Sequence, residues 1–105
     1  MTESNEMWSL QVDENGLIKL SGEIDFTVTP KVRSALLELA RESEGEVRLD
    51  LRDLNYLDSA GLAIFIELRR VLQEKKRGVT IVDVHPQVKK IFTLTQVGKL
   101  FGIED

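Results

Sequence analysis

Three features of this sequence predict an α/β domain whose mixed, largely parallel sheet carries its helices mainly on one face. The first is order. Apolar patterning reads strand, strand, helix, strand, helix, strand, helix along the chain, and helical crossovers between strands imply parallel pairing with right-handed connections. The second is Asn15-Gly16 between two short strand-like runs, a strong hairpin signal because both residue types accept positive φ. The third is the strict alternation in Val47-Arg48-Leu49-Asp50-Leu51-Arg52, the period of a strand wet on one side. A parallel strand covered on both faces would be apolar throughout. The helices are therefore expected on the other face.

Each element follows from local pattern. Trp8 to Val12 and Leu17 to Leu20 form the hairpin arms, and Gly22-Glu23-Ile24-Asp25 closes or continues the second before a loop. Thr29 then reads as a helix cap, with Pro30 at the first helical position, where its missing N–H costs nothing. Val32, Ala35, Leu36, Leu39 and Ala40 recur at helical spacing opposite Lys31, Arg33, Glu38 and Arg41. That is an amphipathic helix burying one stripe, and Glu44-Gly45-Glu46 ends it. The strand Val47 to Leu51 is followed by an expected turn, Arg52 to Leu57. The longest helix runs from Ala60 to Arg77. Its first half (Leu62, Ala63, Ile64, Phe65, Ile66, Leu68) is apolar nearly all round and should be the most buried element, while Gly78 supplies its stop. Val79 to Val84 is the last strand. His85-Pro86 opens a short helix with Val88, Ile91, Phe92 and Thr95 inward, and Leu100, Phe101 and Ile103 are available for packing. Residues 1–6 are expected to lack order and 7–105 to form a single domain.

Composition narrows the function classes. The 105 residues suffice for one core, burying roughly two thirds of the unfolded surface. There is no cysteine, which excludes a disulfide framework and a thiolate metal site. His85 is the single histidine, so a histidine-based metal site is disfavoured too. A net charge of −4 argues against nucleic acid or an anionic membrane as partner, since both select basic surfaces. The polar, acidic start Met1 to Glu6 is neither a signal peptide nor a lipidation signal, and no apolar run approaches the ~20 residues of a membrane span. A cytoplasmic domain is expected. The basic run Lys75-Lys76-Arg77 complements a helix dipole at its C-terminal end and needs no nucleic-acid reading.

The segment Asp58-Ser59-Ala60-Gly61-Leu62 is the most informative in the chain. Ser59 stands where strand-like sequence gives way to the long helix, a favoured cap position. A hydroxyl there lies at the positive end of the helix dipole, where an added anion is well tolerated. Asp58 precedes it, and Gly61 removes a side chain from the first turn, which would let another protein approach. In a sheet with helical crossovers the loops leaving the strand C-termini share one edge. Asp25 to Thr27, Asp58-Ser59 and His85 occupy those loops. Ser59, His85 and Asp25 could be written as a catalytic triad, but the G-x-S-x-G elbow is absent and the loops are too short to enclose a substrate. Neither a P-loop nor a G-x-G-x-x-G motif is present. Asp25, Asp50, Asp53 and Asp58 could be read as a cation site, although Asp50 is more simply a wet-face strand residue and Asp53 a turn residue. No catalytic residue, metal or cofactor is expected; the chemistry left is what another protein does to Ser59.

Gly22-Glu23-Ile24-Asp25, Val47-Arg48-Leu49-Asp50-Leu51, Tyr56-Leu57-Asp58-Ser59-Ala60-Gly61-Leu62 and Val84-His85-Pro86-Gln87-Val88 occur in this order. Together they resemble STAS domains, specifically the bacterial anti-sigma factor antagonists, over nearly the whole span from Trp8 to Ile103. The resemblance implies a STAS-type fold and a partner switch. The unphosphorylated antagonist binds an anti-sigma factor that is also a serine kinase, freeing the sigma factor, and phosphorylation of the serine matching Ser59 ends binding. It further implies a serine phosphatase as second partner, a monomeric state, and a partner-facing surface made of Glu23, Asp25, Thr27, Asp58, Ser59, Ala60, Gly61, Leu62 and His85. Many relatives continue past the point matching Ile103 into a further helix. A second kind of relative, the short STAS subunit that braces the ATPase of a bacterial lipid-transport ABC system, shares the layout. In that case the same surface is a structural contact and is not phosphorylated.

Overall fold

A computed structural model describes residues 7–103 and, as backbone, Thr2–Ser4. Five strands form one sheet in chain order: β1 (Thr2–Ser4), β2 (Trp8–Val12), β3 (Ile18–Ile24), β4 (Val47–Leu57) and β5 (Val79–Val84). The pairings β1–β2 and β2–β3 are antiparallel, while β3–β4 and β4–β5 are parallel. Part of the segment expected to lack order is thus an edge strand, because its backbone pairs with Ser9 to Gln11. Met1, Asn5, Glu6, Glu104 and Asp105 lie outside the described residues.

Helix α1 (Thr29–Glu42) joins β3 to β4, and α2 (Ser59–Glu74) joins β4 to β5. Both crossovers step across the sheet in the same direction, so right-handedness puts both helices on one face. Val32, Ala35, Leu36, Leu39 and Ala40 are buried on α1 and Leu62, Ile64, Phe65, Leu68 and Leu72 on α2. They meet Leu10, Leu20, Leu49, Leu51 and Ile81 from the sheet in one contiguous core. The apolar run at the start of α2 is less evenly buried than its sequence suggests. Ala63 and Ile66 are exposed, because a helix lying on a sheet hides only one stripe.

Strand β4 departs most from expectation. Arg52 to Leu57 is strand, not turn. Two irregularities explain the difference: Lys19 and Ser21 on β3 face Asp50 and Asp53, and Gly22 and Glu23 face Leu54 and Tyr56. Each puts one extra residue on β4, as a β-bulge does. Each extra residue reverses the alternation, so the buried positions become Leu51, Leu54 and Leu57, three apart instead of two. On the helix-free face Asp50 is 8% exposed, not wet. Its carboxylate accepts the Arg52 amide at 2.9 Å, and the Arg52 guanidinium reaches Asp83 at 3.0 Å.

Strand β5 pairs with β4 only as far as Leu51. The helix that follows it, α3 (Pro86–Leu94), packs against β4 and places Phe92 6.2 Å from Phe65 and 5.6 Å from Phe101, ring centre to ring centre. Phe101 belongs to a 3-10 turn, Gly98–Phe101. Val88 and Phe92 face inward as expected. Thr95 does not; it is exposed and its hydroxyl donates to the Ile91 carbonyl. Leu100 is also exposed.

Turn and cap chemistry refines the rest. The β2–β3 connection is closed by Asp13, whose carboxylate accepts the amides of Asn15 and Leu17, while only Gly16 of the Asn-Gly pair has positive φ. Those amides, Leu17 foremost, hold the Asp13 carboxyl below its ordinary pKa. Thr29 is the first residue of α1 and Val28 its cap; the Thr29 hydroxyl donates to the Phe26 carbonyl instead. Helix α2 ends at Glu74, earlier than expected. Its stop is Lys76 in the left-handed region (φ 59°), with Arg77 and Lys76 amides returning to Leu72 and Gln73 carbonyls. This is a Schellman motif, so Gly78 is not the terminator.

Candidate functional site

The C-terminal ends of β3 and β4 meet the start of α2 at one edge of the sheet. Asp58, not Ser59, is the cap of α2: one carboxylate oxygen accepts the Gly61 amide at 2.9 Å. The other oxygen accepts the Phe26 amide, also at 2.9 Å, and the Asp58 amide donates to the Ile24 carbonyl. One side chain therefore ties the β3–α1 loop to the first turn of α2. Ser59 becomes the first helical residue and is exposed. Its side chain is spared the capping task, and its place in the first turn is one where the dipole favours an anion.

The loop itself is compact. The Asp25 carboxylate accepts the amide and the hydroxyl of Thr27, and the Val28 amide donates to the Asp25 carbonyl. Glu23 and Thr27 are exposed, Asp25 half-buried. Gly22 has φ +92°, and a methyl group there would lie 2.1 Å from the Met7 carbonyl oxygen, which accepts the Glu23 amide at 2.7 Å. Only glycine lets the strand turn its end this way.

Gly61 is buried, and its missing side chain serves the fold. A methyl group on it would meet Leu57 Cδ1 at 2.5 Å and Ile24 Cγ2 at 3.1 Å, so the space is filled from inside. Leu62 is buried as well, and Ala60 half-buried. Gly61 and Leu62 shape the surface from beneath more than they line it. His85 lies elsewhere. It caps α3 through Nδ1, which accepts the Gln87 amide at 3.1 Å, and its own amide bonds Leu51. Leu51 is six residues up β4 from Leu57, which the two bulges reduce to about four residues of β3, roughly 13 Å at ~3.3 Å per residue. The sheet edge thus gathers Asp25, Thr27, Asp58 and Ser59 but not His85, and no Ser59–His85–Asp25 triad is assembled. Of the four aspartates only Asp25 and Asp58 share this edge, and among the described residues no three acidic or histidine side chains are grouped as metal ligands.

The sequence reading missed Phe26, an aromatic ring 71% exposed beside this edge. Continuing the strand alternation past Ile24 would turn it inward; the Asp25–Thr27 turn reverses it. A shallow groove of about 360 Å³ runs between α1 and α2, lined by Pro30, Arg33, Ala60, Ala63, Ile64 and Glu67. Arg33 and Glu67 join across it, Nε to Oε1 at 2.7 Å with a second bond from Nη2. The pair raises the Arg33 pKa and holds the Glu67 carboxyl below its ordinary value.

The family model for the STAS domain matches residues 8–105. This chain belongs to the STAS domain family. The anti-sigma-B factor antagonist of Listeria monocytogenes is 30% identical to this STAS chain over 89 residues, 84% of this chain and 77% of that protein. Among solved structures, the fold is shared with the anti-sigma factor antagonist SpoIIAA in its unphosphorylated form, at TM-score 0.72 and 17% identity over 89% of this chain and 84% of that one. It is shared also with the Bacillus cell fate determinant SpoIIAA in the phosphorylated form, at TM-score 0.62 and 16% identity over 89% and 86% of the two chains. No helix among the described residues of this STAS domain is long and apolar enough to cross a membrane.

Proposed function

We propose that this STAS domain is a cytoplasmic, monomeric anti-sigma factor antagonist that works by protein binding, without catalysis or cofactor. Unphosphorylated, it binds an anti-sigma factor that is also a serine kinase and so frees the sigma factor. Phosphorylation of Ser59 ends the binding, and a serine phosphatase restores it. The observation that carries this reading is that Ser59 is exposed at the first position of α2 while Asp58 does the capping. A hydroxyl with no cap to supply can be modified without dismantling the helix start. The name of the Listeria relative supports the same reading.

The physics of such a switch is local. A phosphate adds roughly −1.5 to −2 charge, taking the net from −4 to about −6. At a helix N-terminus that charge is stabilised, so the fold persists. Against a docked partner it would be desolvated beside Asp25 and Asp58, where bulk and like charge oppose binding.

The test is incubation with kinase-type anti-sigma factors and ATP, followed by intact-mass measurement. One phosphate should appear and Ser59→Ala should abolish it. A phosphate mapping to Thr27, Ser34 or Ser43 would remove Ser59 from its role. Affinity capture from detergent-solubilised lysate separates this reading from the lipid-transport one. If wild type and Ser59→Asp recover a membrane ATPase subunit equally, the domain braces a transporter and does not switch.

A further inference from the structure

We infer that Phe26 is the apolar anchor of the partner-binding surface and that Asp58 is a positioning residue which aims it. The inference rests on the reading of the Ser59 edge as partner-facing, and adds the chemistry by which the partner is recognised. Phe26 is 71% exposed, yet it does not sit on a loose loop. Its amide is held by Asp58 at 2.9 Å and its carbonyl by the Thr29 hydroxyl at 3.2 Å. The residue before it is fixed by the Asp25–Thr27 turn. An aromatic ring displayed on a backbone bonded on both sides loses little conformational freedom when it is buried by a partner. Anchors of this type dominate interface energetics. Asp25 precedes the ring in the chain and Asp58 holds its amide, so the complementary surface is an apolar pocket with a basic rim on the anti-sigma factor. The same Asp58 carboxylate caps α2 beside Ser59, so the aim of the ring and the position of the phosphoacceptor are set by one group.

The experiment measures binding of purified kinase-type anti-sigma factors of the source organism, without ATP, to wild type, Phe26→Ala, Phe26→Leu, Asp58→Asn and the double variant Phe26→Ala/Asp58→Asn. Phe26→Ala should bind at least tenfold more weakly, and Phe26→Leu should recover most of the loss. Asn at 58 has one acceptor oxygen for two amides. Asp58→Asn should therefore weaken binding in the wild-type background, change it less than twofold in the Phe26→Ala background, and speed hydrogen exchange at the Phe26 amide. Thermal unfolding of each variant confirms that it is folded; Phe26 is exposed and its truncation leaves the core intact. If wild type binds and Phe26→Ala binds equally well, the anchor assignment falls while the antagonist reading stands. Equal effects of Asp58→Asn in both backgrounds would make Asp58 a direct contact and overturn the positioning role. A wild type that binds none of the factors overturns the antagonist reading and this inference with it.

Discussion

Leu57 and Gly61 occupy complementary space: the Leu57 Cδ1 methyl stands where a side chain on residue 61 would begin, 2.5 Å from an ideal Cβ. The last residue of β4 thus sets how closely the first turn of α2 approaches the sheet, and so where Ser59 emerges. Gly61→Ala should destabilise the domain by about 1–3 kcal/mol, the usual cost of overpacking. Urea denaturation checks it, as a lowered midpoint with an unchanged slope.

Gly22→Ala should be the harsher change. It adds strain at positive φ to a clash with backbone, which cannot rotate away as a side chain can. A loss of at least ~3 kcal/mol is expected, or failure to accumulate as folded protein. Expression followed by circular dichroism reads either outcome.

Modification at residue 59 and truncation of the core should separate cleanly. Ser59→Asp puts a negative charge at the first helical position, which the dipole favours, so stability should change by no more than ~1 kcal/mol. Phe65→Ala removes a fully buried ring in contact with Phe92 and should cost about 3–5 kcal/mol. Thermal unfolding of the two variants compares them. If Ser59→Asp proved as damaging as Phe65→Ala, a phosphate would act on the core and the interface-repulsion mechanism would fail.

The Arg33–Glu67 pair gives a pH dependence of known sign. The Glu67 carboxyl is held below its ordinary pKa of 4.5 by the Arg33 hydrogen bonds. Its contribution is present in full above that value and is lost as pH falls through the lower, folded-state pKa. Glu67→Gln should thus lower the melting temperature slightly at pH 7, and the difference from wild type should vanish at acid pH. Asp13, shifted the same way by the Leu17 and Asn15 amides, adds to the acid lability of the wild type.

Two left-handed residues mark positions open to improvement. Lys76 and Gln96 end α2 and α3 with φ near 60°, a conformation that costs a residue with a Cβ roughly 1–2 kcal/mol. Lys76→Gly should stabilise by up to ~1 kcal/mol after the added freedom of the unfolded chain is subtracted. Differential scanning calorimetry would show a higher melting temperature.

What was legible in the sequence was what periodicity and simple order encode. The amphipathic stripe of α1 and the strands Trp8–Val12 and Val79–Val84 emerge as read, as does the sheet with its helices on one face. What was not legible depended on partners distant in sequence. Arg52 to Leu57 looked like a turn because the two bulges erase its alternation, and bulges are defined by the neighbouring strand. Ser59 looked like the cap because serine and aspartate both cap well; the choice fell to Asp58, which also reaches Phe26, 32 residues away. Gly61 looked like an opening for a partner until Leu57 and Ile24 filled it. His85 looked close to Ser59 because strand lengths could not be compared, and β5 stops six residues short.

That early stop of β5 has a consequence for how the protein coexists with copies of itself. A strand of eleven residues paired on one side for only five of them would offer bare amides and carbonyls to any other extended chain, the usual start of strand-exchanged dimers and fibres. Here α3 leaves β4 at the Leu51 carbonyl, which accepts the His85 amide, and packs against that strand with Val88 and Phe92 buried. A helix cannot extend a β-ladder. The longest strand in the molecule is closed to templated growth by the element that begins at His85, and loosening α3 should betray itself first as aggregation.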